Sequence, residues 1–309
     1  MDWSAAQAPL VATRAVHFAA TAITVGDVMF RTIAASAFRP DAVMPAAFRA
    51  PTLRVSWLGL GVAVISGAIW LLLQAVSMSG MPLDEAMSAD VLSTVINETQ
   101  FGQVTTLRAG LAVCLAACLV CHRVTIARRL GFAAAVAFAA SLAWIGHAGS
   151  TAGEAGYLHL AADALHLTAT AAWIGGLASL ILFLAAAYQS KAVSVTCDVV
   201  GRFSIMGMVS VITLLLTGFI NAAILVGSLH ALVVTDYGQL LLVKLVLVAL
   251  MLLLALINRL VLTPRLSAFG NGALHWLKRN CAIELALGLA ILAIVGLLGT
   301  MHPAIHLVN

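Results

Sequence analysis

The stretch LHLAADALHLTATAAWIGG, at residues 158–176, combines two features that conflict in a membrane. It is about as long and as apolar as a helix that crosses a bilayer. It also contains His159, Asp163 and His166, which lie on one face of an α-helix at positions i, i+4 and i+7. Ionisable side chains inside a membrane span are costly and usually serve a function. The segment therefore predicts a membrane helix with a functional polar face.

The composition of the whole chain is typical of a polytopic membrane protein. Of its 309 residues, 62% are hydrophobic and 9% are charged. Apolar stretches of about 20 residues recur along the chain, each long enough to cross a hydrocarbon core of about 30 Å. We therefore expect an all-α protein embedded in a lipid bilayer, without a removable signal peptide. The net charge of +4 does not indicate binding to nucleic acid, because the basic residues flank the predicted spans.

The apolar stretches predict eight transmembrane helices. They cover residues 10–36, 54–78, 102–121, 130–147, 156–187, 203–227, 237–260 and 280–300. Basic side chains cluster in alternate connections, whereas the connections at 79–101, 148–155 and 228–236 contain no Lys or Arg. Because positively charged loops stay in the cytoplasm, this alternation predicts that both termini are periplasmic.

Three pairs of similar segments indicate an internal repeat. They are 17–26 with 166–175, 54–59 with 202–207, and 99–108 with 235–244, at offsets of 149, 148 and 136 residues. We expect one membrane domain over 1–309, built from two halves of four helices, 1–150 and 151–309. Four helices per half preserve orientation, so an axis along the membrane normal would relate the halves. In this repeat His17 is equivalent to His166.

Several segments resemble the copper resistance protein D (CopD) family of bacterial inner-membrane proteins. They are GHAG…LHLAADALHLTATAAWIGGL, RFS…TGFINA, TDYGQLLLVKL…NR and IELALGLAILAIVGLLG…P. The resemblance covers all eight predicted spans and is strongest from His147 to Pro303. It implies a multi-pass protein of the bacterial inner membrane that takes part in copper uptake or resistance. It also implies a partner, a small periplasmic copper-binding β-domain that is either separate or fused.

Five side chains form the predicted copper site in the periplasmic half of the membrane. They are His17, His147, His159, Asp163 and His166. Imidazoles suit copper in either common oxidation state. Asp163 would either bind the metal or accept a hydrogen bond from a neighbouring imidazole and so orient it. The alternative interpretation is a hydrogen-bonded polar patch that holds helices together.

Further candidates lie at the two ends of a predicted copper path. Those on the periplasmic side are Met78, Met81, His302 and His306. On the cytoplasmic side, Cys114, Cys118 and Cys121 share one face of a helix, and thiolates there would receive Cu(I). The alternative is that these residues only pack, because cysteine behaves as a small apolar residue in a helix bundle.

Two functions are compatible with this pattern. The first is a copper transport protein, which is not an enzyme and carries the ion inwards from a histidine site. The second is a membrane b-type cytochrome, in which His17 and His166 are axial ligands of a haem and the protein is an oxidoreductase. A visible spectrum would distinguish them, because haem gives a Soret band.

The remaining charges within spans have structural explanations. Asp27 has Arg31 four residues further along the same helix as a salt-bridge partner. Arg108 and its repeat equivalent Lys244 would extend towards the membrane surface, neutralise Asp163, or pair with haem propionates.

Overall fold

The computed structural model describes residues 8–35, 46–190, 193–269 and 271–306, which form helices joined by short turns and contain no β-strand. The α-helices are α1 (Ala8–Ala35), α2 (Ala46–Ser79), α3 (Leu83–Ala86), α4 (Ala89–Glu98), α5 (Gln100–Val120), α6 (Thr125–Ala140), α7 (Gly153–Thr170), α8 (Gly176–Ser190), α9 (Val193–Val226), α10 (Leu229–Val234), α11 (Asp236–Ile257), α12 (Thr263–Phe269) and α13 (Asn271–Leu298).

Eight helical segments in these ranges are long and apolar enough to cross a membrane, which confirms the predicted all-α polytopic class. They are Ala8–Ala35, Phe48–Ser79, Gln100–Val120, Thr125–Trp144, Gly153–Ala187, Val195–Val226, Asp236–Leu266 and Gly272–Leu298. The internal repeat, its two halves and the side on which the termini lie stay predictions.

Three helices begin well before the apolar stretch that predicted them. Helix α2 begins at Ala46, α9 at Val193 and α13 at Asn271, about two to three turns earlier than expected. A helix satisfies its own backbone hydrogen bonds, so it does not have to end where the apolar residues end. The apolar pattern predicts the membrane-embedded part of a helix and not its full length.

The connection at 79–101 contains helices α3 and α4, and that at 228–236 contains α10, where the sequence predicted only loops. Each connection ends in the same helix cap. The hydroxyl of Thr99 accepts a hydrogen bond of 3.0 Å from the amide of Gly102, in the first turn of α5. In the same way, the hydroxyl of Thr235 accepts one of 3.0 Å from the amide of Gly238, in the first turn of α11. The similar segments at 99–108 and 235–244 therefore carry the same helix start.

Helix α1 and the span Gly153–Ala187 form the centre of the bundle. About two-thirds of the most apolar stretch of each of these two spans is buried, compared with 6% in the span that contains α11. The two central segments cross at glycines: a Cβ atom added to Gly26 or to Gly175 would overlap backbone atoms of the other segment. The closest approach therefore involves backbone against backbone, as small residues permit in membrane helices.

Two π-helical segments interrupt the spanning helices, at Ala171–Gly175 and Asn258–Leu262. Both have a side chain that donates a hydrogen bond to the buried Glu284 of α13: Trp173 comes from the first segment and Asn258 from the second. The apolar pattern of the sequence did not predict these segments. Because a π-helical turn holds an extra residue, each changes the direction of the side chains that follow it.

Candidate functional site

A polar cluster lies between helices α7 and α9. His166 of α7 places its Nδ1 atom 2.9 Å from the hydroxyl of Thr217 in α9. One turn further along α9, the amide of Asn221 donates a hydrogen bond of 3.1 Å to Asp163. Thr217 and Asn221 were missed by the sequence analysis. Their signal is the TGFIN segment at 217–221, because residues i and i+4 share one face of a helix.

His159 and His147 lie near this cluster at the end of α7 where the helix begins. The Nδ1 atom of His159 is 2.8 Å from the hydroxyl of Thr151. His147 places Nε2 3.3 Å from the carbonyl oxygen of Leu298, and its ring centroid is 6.3 Å from that of Tyr237. The turn that carries His147 also runs close to Asp163, because a Cβ on Gly146 would lie 3.8 Å from its carboxylate.

The hydroxyl partners determine which nitrogen of each imidazole carries the proton. Thr217 donates its own hydroxyl proton to the carbonyl of Thr213 at 2.6 Å, so it accepts from Nδ1 of His166. Thr151 donates to the carbonyl of His147 and therefore accepts from His159 in the same way. Neutral His159 and His166 thus have an unprotonated Nε2 atom, and no residue in the described ranges hydrogen-bonds to it.

Two further features of this cluster are electrostatic. The Oδ1 atom of Asn221 is buried and accepts no hydrogen bond from the described residues. The Lys244 ammonium on α11 acts on both Asp163 and His166 through its charge. The cluster therefore combines a carboxylate, an unused amide oxygen and two unprotonated imidazole nitrogens with a single positive charge.

His17 belongs to a second buried cluster formed by α1, α2, α5 and α6. Its Nδ1 atom is 3.1 Å from the hydroxyl of Ser66, which donates to the carbonyl of Val62. Its Nε2 atom is 2.9 Å from a terminal nitrogen of Arg108. Arg108 also donates to Thr21 at 3.1 Å and to Ser141 at 2.8 Å.

The two clusters differ in whether the histidine has a nitrogen lone pair available to bind a ligand. In each cluster the Nδ1 atom of the histidine hydrogen-bonds to a hydroxyl residue that precedes a glycine. Ser66 and Gly67 are this pair for His17, and Thr217 and Gly218 are the pair for His166. Because Arg108 donates to Nε2 of His17, that imidazole has no free lone pair, whereas the equivalent nitrogen of His166 is open.

The contacts of His17 and His166 do not support a haem between them. Each histidine contacts helices of its own predicted half, and Arg108 already uses the nitrogen of His17 that would bind iron. Nine residues separate His17 from Gly26, which places them on opposite faces of α1. His17 therefore points away from the place where α1 meets the span of His166.

Of the roles predicted for Asp163, the hydrogen bond from a neighbouring imidazole is not formed, whereas the charge of Lys244 acts on the carboxylate and its role as a metal ligand stays a prediction. The hydroxyls of Thr151 and Thr217, and not the carboxylate, hold the Nδ1 atoms of His159 and His166. Arg108 does not neutralise Asp163 either, since its donors go to His17, Thr21, Ser141 and the carbonyl of Phe138. Thr151 and Thr217 therefore orient the two imidazoles, a role that the sequence had suggested for Asp163.

The predicted ion pair between Asp27 and Arg31 is confirmed. The carboxylate of Asp27 lies 2.9 Å from Nε of Arg31. It also accepts hydrogen bonds from Ser56 of α2 and from Ser179 of α8, the latter at 2.7 Å. Asp27 therefore joins three helices as a structural residue.

The outer candidates for the copper path are exposed and scattered. Met78 and Met81 are 50% and 42% exposed at the end of α2 and in the turn after it, and His302 is also exposed. The side chain of His306 lies outside the part of the structure that is described. Among the described residues, no three His, Cys, Asp or Glu side chains form a ready metal site, so the predicted ligand set stays a prediction.

The cysteines lie near the other end of α5. Cys114 and Cys121 are exposed, and Cys118 is half-buried. Cys118 comes four residues after Cys114 and three before Cys121, about one helical turn from each. Packing against Gly131 of α6 accounts for Cys118, and the thiolate path stays a prediction.

Comparison with known proteins gives two family matches and several relatives. Residues 4–157 match the family described as Copper resistance protein D-like, N-terminal domain, and residues 198–298 match Copper resistance protein D. The Inner membrane protein YebZ of Escherichia coli K12 is 33% identical over 244 residues, which cover 76% of this chain and 82% of the relative. The Copper resistance protein D of Pseudomonas syringae pv. tomato is 32% identical over 281 residues, 86% of each chain.

A third relative shares a shorter region. The Copper transport protein CutJ of Bacillus subtilis 168 is 35% identical over 130 residues, which cover 42% of this chain and 23% of the relative. No solved structure matches the chain.

Proposed function

The chain belongs to the copper resistance protein D family, and from this membership we propose that it is an inner-membrane protein that binds copper from the periplasm and passes it across the bilayer. Relatives named for copper resistance and for copper transport support the metal. The proposed ligands are His159, Asp163 and His166 of α7, with Asn221 of α9 beside them and His147 at the periplasmic entrance.

The observation that carries this proposal is the state of the imidazoles. A histidine that binds a metal through one nitrogen almost always donates the other N–H to a fixed acceptor. Thr151 and Thr217 supply such acceptors, so Nε2 of His159 and of His166 is ready to bind without a change of tautomer. Nitrogen and oxygen donors together suit Cu(II), and imidazole also binds Cu(I).

Charge supports the same cluster. Asp163 contributes a negative charge, and the unused oxygen of Asn221 is an acceptor that a cation would satisfy. At His17, by contrast, a copper ion would have to displace Arg108 and lie next to its guanidinium group. We therefore leave His17 out of the proposed ligand set.

The order of the ligands along α7 supports a path inwards. His159, Asp163 and His166 succeed one another at steps of about 6 Å and 4.5 Å along the helix axis, at 1.5 Å per residue. An ion would pass from His147 and His159 to Asp163 and His166 by exchanging one ligand at a time. A small periplasmic copper-binding protein is the proposed donor at the entrance, where the exposed Met78 and Met81 would help capture.

The test is a copper titration of the full chain purified in detergent, in competition with a chelator of known affinity. His166→Ala removes a ligand and Asp163→Asn removes the only carboxylate of the proposed set, so we expect each to lower the affinity by more than about tenfold. His17→Gln is the matched control, because it changes the repeat-equivalent histidine and should leave the affinity unchanged.

A visible spectrum and a melting curve of the same samples complete the experiment. Wild-type affinity in both His166→Ala and Asp163→Asn, with both variants folded, would contradict the proposed site. A loss in His17→Gln as large as in His166→Ala would show that the site lies elsewhere or includes both halves. A Soret band in the purified protein would favour the haem alternative.

A further inference from the structure

Two buried guanidinium groups lie in the region of His17. Arg108 hydrogen-bonds to the imidazole, and Arg14 lies over the ring of Trp70, which packs edge-on against His17. Arg14 and Arg108 are only 8% and 4% exposed. Among the described residues, the ion pair within 4.0 Å is the one between Arg31 and Asp27, so neither of these two arginines has an acid at that distance. A charge taken out of water needs compensation, and a buried charge without it is strongly unfavourable.

Two N–H donors in this cluster also lack an acceptor. The Nε atom of Arg14 and the Nε1 atom of Trp70 are both buried and have no hydrogen-bond partner in the described part of the chain. Trp70 is 2% exposed, and the guanidinium carbon of Arg14 lies 5.0 Å from the centroid of its ring. Buried donors are nearly always paired, so unpaired donors on two side chains in contact with each other indicate a missing acceptor.

The neighbours of Arg14 account for only part of its charge. A Cβ on Gly299 would overlap its guanidinium group, so Arg14 lies directly after the last turn of α13. The partial negative charge of a helix C-terminus favours a cation there. That contact leaves Nε without a partner, and the N–H of Trp70 has none either.

We propose that Arg14 and Trp70 form a binding site for an oxyanion of the phosphate type in the predicted periplasmic half of the membrane. Arg108 contributes charge to this region and not hydrogen bonds to the ligand, because its terminal nitrogens already donate to four partners. Arginine and the tryptophan N–H can only donate hydrogen bonds, and the planar guanidinium group matches the oxygens of a phosphate. A phospholipid headgroup and free inorganic phosphate share this chemistry. The site is independent of copper, since the side chains that form it belong to the other cluster.

The test uses the full chain in detergent after removal of bound lipid. Its melting temperature is measured against inorganic phosphate at constant ionic strength and, separately, against dioleoyl phosphatidylglycerol. We expect one of the two to raise the melting temperature with concentration, as a ligand of the folded state does. Trp70→Phe keeps the ring and removes only the N–H, and Arg14→Gln removes the charge. Each should weaken the effect about tenfold.

The chain provides a matched control at its other end. The guanidinium carbon of Arg279 lies 4.8 Å from the ring centroid of Trp276, but Trp276 is 51% exposed. Arg279→Gln and Trp276→Phe should respond like the wild type. A response to phosphate assigns the site to a free anion, and a response to the lipid alone assigns it to a headgroup. No response to either, or an equal loss in Arg14→Gln and Arg279→Gln, would overturn the proposal.

Discussion

The hydroxyl group of Thr217 has a larger role than its size suggests. It accepts a hydrogen bond from the Nδ1–H of His166 and donates its own to a backbone carbonyl, so it fixes both the tautomer and the direction of the ring. The side chain lies outside the pattern of histidines and acids by which the site was predicted. Residues that orient a metal ligand are identified by what they contact, which requires the tertiary structure.

A first prediction follows for Thr217→Val, which keeps the shape of the side chain and removes the hydroxyl. We expect the copper affinity to fall by about 10- to 100-fold, as for other groups that orient a metal ligand. Thr217→Ser restores the hydroxyl and should recover most of the affinity in the same competition titration. Ser66→Ala, which removes the hydroxyl beside His17, is the control. Equal affinities in Thr217→Val and the wild type would show that the orientation of His166 does not depend on this bond.

A second prediction concerns Asp27. Replacing it with Asn keeps the shape but removes the charge that pairs with Arg31, while Ser56 and Ser179 lose a charged acceptor. We expect the free energy of unfolding to fall by about 3 kcal/mol, because breaking a buried ion pair leaves the partner charge uncompensated. Copper affinity should not change, since Asp27 is not part of the ligand cluster. Denaturation in mixed micelles measures the first quantity, and an unchanged stability would contradict a structural role.

At the scale of helices, the eight spans were predictable and their mutual contacts were not. Apolar length alone identifies a membrane helix, because each span must cross a hydrocarbon core about 30 Å thick. The TQFGQ and TDYGQ segments were recognised only as similar, and the structure explains the similarity as a shared threonine cap with glycine behind it. The π-helical turns carry no comparable signal, because the hydrogen bonds to Glu284 that accompany them join residues distant in sequence.

A third prediction tests the crossing of the two central segments. Gly175→Ala places a Cβ where the carbonyl of Ala22 lies, so the segments have to move apart. We expect a lower melting temperature and a smaller folded yield. Gly207→Ala on α9 is the matched control, because nothing lies within 4 Å of its added Cβ and alanine favours the helix. Similar melting temperatures for both variants would mean that the close contact contributes little to assembly.

For the molecule as a whole, eight spans predict that both ends of the chain lie on the same side of the membrane. The basic connections predict which side, and this orientation is a fourth prediction. Alkaline phosphatase fused after residue 309 or inserted at Gly80 should be active, because it folds in the periplasm. The same enzyme inserted at Arg123 should be inactive. Activity at Arg123 together with inactivity at Gly80 would reverse the membrane orientation and place the histidine cluster on the cytoplasmic side.

The sequence alone did not define how the two predicted halves meet. The haem alternative requires the equivalent histidines to face each other, but a repeat defines which residues correspond and not which faces of the helices meet. His17 and Gly26 are on opposite faces of α1, and the glycine makes the contact with the other segment. Each histidine is thus directed into its own cluster, and the two clusters can serve different ligands.

The glycine crossing also has a mechanical consequence. A contact of backbone against backbone cannot slide without a collision, so it acts as a fulcrum for any rocking of the two central segments. Along α1 the arm from Gly26 to Ala8 is about 27 Å long and the arm from Gly26 to Ala35 about 14 Å, at 1.5 Å per residue. The end of the helix that carries His17 therefore travels about twice as far as the other end for the same rotation. A rotation about this crossing would therefore separate the helices more at the end of α1 that carries His17 than at the opposite end.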